Sequence, residues 1–194
     1  MRAAALGVLV VAVGAWASTL STSPERTRAA ASCRYELSDL KTFSDQRRHL
    51  VYVRPRRTTV IAVNRRGMPR PTPRRRSRGF ERHVWLLYAQ ITDYRLGQEG
   101  AIHLILFDKG NYMDAAMPAS RCVPPTARTR RAILGARRAF ETRCGRASGQ
   151  WRKLGAVAAL EGVGFWNRPR GLRGHARNYA ELHPVTRIRF IAGC

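Results

Sequence analysis

His83-Val84-Trp85-Leu86-Leu87-Tyr88-Ala89-Gln90-Ile91-Thr92-Asp93-Tyr94, the connection Leu96-Gly97-Gln98-Glu99-Gly100, and Ala101-Ile102-His103-Leu104-Ile105-Leu106-Phe107-Asp108 are the stretch that decides the fold. Two runs rich in β-branched and aromatic residues, joined by a short connection with two glycines, predict an antiparallel hairpin. The first run is long enough for a curved strand. Lys109-Gly110-Asn111 predicts another turn, leading into a short extension over Tyr112 to Met117.

Downstream, Pro124-Pro125-Thr126 precedes a helical stretch that ends near Gly145, with proline at its start and glycine past its end. Ile133, Ala136, Phe140 and Cys144 fall on one helical face, and Arg130, Arg131, Arg137 and Arg138 occupy the others. Leu154 to Trp166 and Tyr179 to Ile191 predict two closing strands, separated by a Gly/Arg-rich loop over Asn167 to Arg177. In the last strand Leu182, Ile188 and Phe190 share one parity, while Glu181, His183, Arg187 and Arg189 share the other, the pattern of a half-buried strand. The glycines of Gly162-Val163-Gly164 predict a bulge. Upstream, the β-branched run Thr58-Thr59-Val60-Ile61-Ala62-Val63 predicts a first strand, and residues 33–53 a lead-in that packs on the body.

The resulting class is mainly β with one main helix. Its order fits a five-stranded OB-like barrel with the helix between strands 3 and 4, and an α+β open sheet is the alternative. Residues 1–17 predict a secretory signal: Met1-Arg2, an uncharged apolar run, then Ala15-Trp16-Ala17. That run is shorter than the 20 or so residues of a spanning helix. Residues 18–32 read as a flexible leader and 33–194 as a single OB-like domain. Cys33, Cys122, Cys144 and Cys194 all follow the signal, and an even count in an exported chain predicts two disulfides with three possible connectivities. The pairing expected is Cys33–Cys122 with Cys144–Cys194. Export places the protein in a secreted, periplasmic or cell-wall setting.

The net charge is +24, and loss of Arg2 with the signal would leave +23. Codon usage in a GC-rich genome accounts for arginine over lysine, but not for the shortage of acids, and such a charge favours encounter with polyanions. Residues 54–82 carry eleven arginines against one acid, Glu81. Their centre is an exposed Arg/Pro loop over 65–78, whose prolines exclude helix and central strand. Arg65, Arg66, Arg70, Arg74, Arg75, Arg76 and Arg78 are the candidate polyanion-binding residues. The partner is nucleic acid, an anionic envelope polymer or lipid head groups. Trp85, Tyr88, Tyr94 and Tyr112 are nearby aromatics, either stacking surface or core.

The residues from about 33 onward resemble a family of uncharacterised exported bacterial proteins. The resemblance lies in Lys41-Thr42 with Asp45, Thr58-Thr59-Val60, Phe80-Glu81-Arg82-His83-Val84-Trp85, Gly100-Ala101-Ile102-His103-Leu104-Ile105-Leu106 with Asp108, Gly162-Val163-Gly164-Phe165, and Glu181-Leu182-His183-Pro184-Val185. It implies export and the extent of the domain, and no reaction. Where the family has Gly-Asp-Ile-His, this chain has Ala101. Where the family has an aspartate after Gly-x-Gly-Phe-x, it has Asn167.

His103, His183, Glu181 and Asp108 are the candidate metal or acid/base groups, and through them a metal-dependent, nuclease-like hydrolase is the alternative function. Glu181 and His183 share a strand face. A histidine satisfied within a β core is the competing reading for each. P-loop, dinucleotide and Ser-His-Asp patterns are absent from the sequence, so a non-enzymatic binding or envelope protein without cofactor is the expectation.

Overall fold

A computed structural model describes residues 33–77, 79–168 and 174–194. The expected signal (1–17), the leader (18–32) and Arg78 lie outside the described residues. The chain is mainly β with one long helix. In order it forms α1 (Ser38–Lys41), β1 (Tyr52–Arg57), α2 (Val60–Asn64), β2 (His83–Leu96), β3 (Ile102–Asp108), β4 (Asn111–Met117), α3 (Arg130–Cys144), β5 (Arg152–Trp166) and β6 (Ala180–Ala192), with short 3-10 turns at Arg48–Leu50, Gly79–Arg82 and Ser120–Cys122.

The strands make one six-stranded sheet in the order β1-β2-β3-β4-β6-β5, with a further pairing of β2 to β5. Four pairings are antiparallel; β1–β2 and β4–β6 run parallel. The expected hairpin is β2–β3, with Leu96 opposite Ile102 and Gln90 opposite Phe107. The short extension over Tyr112 to Met117 is a full strand, paired along its whole length with β3.

Two expectations about elements are corrected. Thr58 to Val63 is not a strand. The Thr59 hydroxyl accepts a hydrogen bond from the Ala62 backbone N–H at 3.1 Å and caps α2 at its N-terminus. Val60 and Val63, three residues apart, then turn to the core together. A strand would have sent them to opposite faces, so the tertiary contact overrides the β-branched preference. The first strand is instead Tyr52–Arg57, exposed at every residue. The second correction concerns the start of the main helix. Pro124 and Pro125 open a turn closed by Ala127 N–H to Pro124 C=O, and α3 begins at Arg130. Its far end is as expected, with Gly145 at φ 81° past the last turn, a backbone that an L side chain resists.

The main core fills the inner face of the sheet with Leu87, Ala89, Ile91, Leu104, Leu106, Met113, Leu160 and Leu182, and Ala136 and Phe140 of α3 close it. In β2 the inward residues have odd numbers up to Ile91. A register shift between Ile91 and Asp93 then turns Tyr94 inward and spares Asp93 from burial. A second cluster on the outer side joins Phe43, Val51, Val84, Val123, Ile133 and Val163, so the lead-in does pack on the body. The expected bulge at Gly162–Gly164 is present as register shifts between β5 and β6. At Gly164 a side chain would collide with the Phe80 carbonyl, and the strand passes that close only because no Cβ is there.

Cys33 is bonded to Cys122 and Cys144 to Cys194. The first bridge ties the lead-in to the segment before α3. The second ties the end of α3 to the C-terminus. Among the described residues no helix is long and apolar enough to cross a membrane.

Candidate functional site

The charged surface is organised by β1. Its parallel pairing with β2 sets Tyr52 opposite His83 and Arg56 opposite Trp85. The Tyr52 ring stacks on His83 with centroids 5.1 Å apart. His83 Nδ1 lies 2.9 Å from the Gly79 carbonyl, so that nitrogen carries the proton. Its Nε2 then accepts from Arg56 Nη1 at 3.2 Å.

Behind them lies Trp85, whose ring is held inside by its Nε1–H bond to the Phe80 carbonyl at 2.9 Å. Two guanidinium groups cover that ring: Arg66 at 4.4 Å from the centroid and Arg56 at 5.6 Å. Partial burial, and then the charge of Arg56, hold Arg66 below the usual guanidinium range. Arg66 Nε is shielded from solvent without a hydrogen-bond partner. Among the described residues neither arginine has a carboxylate partner. Two like charges fixed by one aromatic plane, with nothing to neutralise them, form a strained electrostatic arrangement that an anion relieves.

The expected Arg/Pro loop is free of helix and strand, but its arginines are not equivalent. Arg65, Arg70, Arg74 and Arg75 are exposed and Arg66 half-buried. Arg76 corrects the expectation of a wholly exposed loop. It is 0 % exposed, its Nε donates to Asp45 Oδ2 at 2.8 Å, and its Nη2 donates to the Leu40 carbonyl at 2.9 Å. Phe43 lies against the guanidinium at 4.9 Å. Asp45 stands on the lead-in, thirty-one residues away in sequence, so no local pattern could mark Arg76 as interior.

The candidate histidines lie on the face of β3, β4 and β6 opposite the main core. His183 and Glu181 are both buried, His183 at 2 % exposure, so the half-buried pattern expected for the last strand fails over its first half. The reason is a cover on the outer side, where Lys41, Tyr35 and Phe165 pack together. His183 Nδ1 donates to Glu181 Oε1 at 2.9 Å, and Asn167 Nδ2 donates to the other carboxylate oxygen at 3.0 Å. Burial, and then Lys41 and His103, lower the imidazole pKa despite Glu181. Burial would raise the Glu181 carboxyl, but the His183 hydrogen bond and charge outweigh it and bring it below the usual range. The two side chains form a closed buried pair, in which the His183 Nε2 is left without a partner.

His103 pairs separately, its Nε2 lying 2.5 Å from Glu99 Oε1. Burial opposes ionisation of Glu99, yet His103 holds it at about 2. Asp114, opposite Glu181 in the β4–β6 pairing, is pushed up to about 8 by burial and by that neighbouring carboxyl. Asp108 closes the β3–β4 hairpin opposite Asn111. Each histidine thus has its own glutamate, and among the described residues no group of three His, Cys, Asp or Glu side chains is placed to hold a metal ion.

Of the aromatics named from sequence, Trp85 and Tyr94 are core, while Tyr88 and Tyr112 are partly exposed. The residues that sequence reasoning passed over are Tyr52, Arg56 and His83. Their signal was Tyr52-Val53-Arg54-Pro55-Arg56-Arg57, in which proline inside an extended run marks an edge strand.

No profile of a known protein family matches the chain. No curated protein matches it significantly. Among solved structures it is similar to a Leishmania major Friedlin crystal structure assigned as an aspartyl-tRNA synthetase, at 13 % identity and a TM-score of 0.43. The likeness covers 74 % of this chain and 22 % of that one, so this chain spans about a fifth of that protein's length.

Proposed function

We propose that the protein is an exported polyanion-binding module built on an OB-like barrel, acting without catalysis. Support for the barrel is the succession β2, β3, β4, β6, β5 and again β2, with β4–β6 parallel and α3 between β4 and β5. Export is supported by the start of the sequence, Met1-Arg2 with an apolar run to Ala15-Trp16-Ala17, and by the two disulfides.

Binding rests on one observation: Arg56 and Arg66 held together over Trp85 with no carboxylate between them. A phosphate there would share two guanidinium groups whose side chains are already ordered, so little rotamer freedom is lost on binding. Arg65, Arg70, Arg74 and Arg75 extend the positive surface from the loop.

The test is fluorescence anisotropy of the mature protein with labelled duplex DNA across a salt series. Log affinity falls linearly with log salt, at a slope of about −0.9 per phosphate contact. Replacing Arg56 and Arg66 together by Ala flattens the slope by about two contacts. Absence of binding at low salt, or an affinity indifferent to salt, overturns the reading.

A further inference from the structure

Beside the arginine pair, the turn Arg48–Leu50 and the start of β1 border an open surface cavity of about 530 Å³. Leu50, Tyr52 and Val53 form its apolar wall, and Arg54, Arg82 and Arg128 supply its charge. Among the described residues seven large hydrophobic side chains are exposed, and three of them fall within residues 50–53. An exposed apolar group of this kind, ringed by cations and facing a recess, marks a contact site.

Among the described residues Arg54, Arg82 and Arg128 form no ion pair with a carboxylate. Arg128 Nη1 donates to the Arg48 and Val51 carbonyls at 2.7 and 2.9 Å, which fixes the wall and leaves its charge uncompensated. Arg82 Nε is shielded from solvent without a hydrogen-bond partner. Tyr52 is 67 % exposed, with one ring face on His83.

We propose that this cavity takes a base and its phosphate from single-stranded nucleic acid; the inference rests on the polyanion reading and names the class of polyanion. Tyr52, braced from behind by His83, offers its free surface to a base. Arg54 and Arg82 meet the adjoining phosphate. Arg56 of the arginine pair follows two residues further along β1, past the register irregularity between Tyr52 and Arg56, and continues the positive surface. Every base has a π-face, so this recognition is tolerant of sequence. A duplex hides its bases in the stack and presents phosphate alone. The exposed Tyr52 ring is stacked on His83 with cations beside it, the arrangement of a base-stacking platform next to a phosphate site, and membrane binding is the outcome that the vesicle probe tests.

The experiment compares four probes on the mature protein: a short labelled oligodeoxyadenylate, an abasic strand of the same length, the corresponding duplex, and phosphatidylglycerol vesicles. The oligodeoxyadenylate binds about tenfold more tightly than the abasic strand. Tyr52→Ala brings its affinity down to the abasic level and leaves the abasic strand unaffected, while Tyr52→Phe keeps the wild-type preference. Circular dichroism verifies that both variants are folded. Equal affinity for the two single strands overturns the inference, as does equal weakening of both by Tyr52→Ala. Vesicle binding without base-dependent strand binding overturns it too. If both strands bind equally and with a steep salt dependence, the polyanion reading stands and this inference falls. If neither binds at low salt, both fall.

Discussion

Arg76 and Arg75 are adjacent in sequence and opposite in role, and replacing them separates stability from binding. Arg76 is enclosed, with Nε on Asp45 Oδ2 at 2.8 Å, Nη2 on the Leu40 carbonyl at 2.9 Å and Nη1 on the Glu81 carbonyl at 3.4 Å. In Arg76→Met the chain volume is largely kept and the Phe43 ring still has a neighbour, so the change is chiefly electrostatic. Asp45 loses its cation and keeps the Arg47 N–H at 3.0 Å. Breaking one side of a buried pair costs about 3–5 kcal/mol. The orphaned Leu40 carbonyl belongs within that figure and is not added to it. For a domain of this size the loss lowers Tm by roughly 6–20 °C. Urea unfolding followed by tryptophan fluorescence, with the disulfides intact, measures it. Arg75→Ala, on the surface, stays within about 0.5 kcal/mol of wild type and weakens anion binding. The reasoning is refuted if Arg76→Met unfolds within about 1 kcal/mol of wild type, or if it lowers anion affinity at unchanged stability; either result returns Arg76 to the surface patch.

Asp114 gives a pH dependence of known sign. Its carboxyl, at about 8 against an ordinary 3.8, keeps in the folded state a proton that the unfolded chain releases. The contribution is therefore full below the unfolded value and is lost as pH rises through the folded one, at up to about 1.4 kcal/mol per pH unit. Asp114→Asn removes this contribution, so the fall in urea midpoint between pH 5 and about 9 should be shallower in the variant than in the wild type; parallel slopes sink the assignment. Glu99, held at about 2 by His103 in spite of burial, acts in the opposite sense: its contribution is present above its ordinary value of 4.5 and disappears as pH falls towards about 2. Glu99→Gln abolishes that acid-side loss. Replacing Cys144 and Cys194 by Ser frees a loop of 50 residues and costs about 4 kcal/mol on the chain-entropy estimate; a change below about 1 kcal/mol contradicts it. Gly164→Ala drives a methyl group into the Phe80 carbonyl and costs about 1–3 kcal/mol, visible as a lower urea midpoint, and a neutral outcome there argues against the close passage of β5.

The sequence on its own determined what depends on neighbours a few residues away. Alternating and β-branched runs around Gly97 and Gly100 set the β2–β3 hairpin, and the spacing of Ile133, Ala136 and Phe140 set the buried face of α3. Gly145 set the end of that helix, and the paired glycines set the bulge in β5. Each is a preference of local backbone geometry, written into residue type and spacing.

What only the tertiary structure decided is which of several locally acceptable states is buried, and against what. Thr58 to Val63 has the composition of a strand and folds as a capped helix, because one turn puts Val60 and Val63 into the core together. Arg76 looks like its neighbours and becomes interior, because Asp45 arrives from the lead-in. Glu181 and His183 alternate as solvent-facing residues do and are nevertheless covered, because Lys41, Tyr35 and Phe165 close over that side of the sheet. The proposed binding surface has the same origin. Tyr52 and Arg56 meet His83 and Trp85 through a parallel pairing across a gap of about thirty residues, and the charge left uncompensated there exists only once those distant segments are brought together.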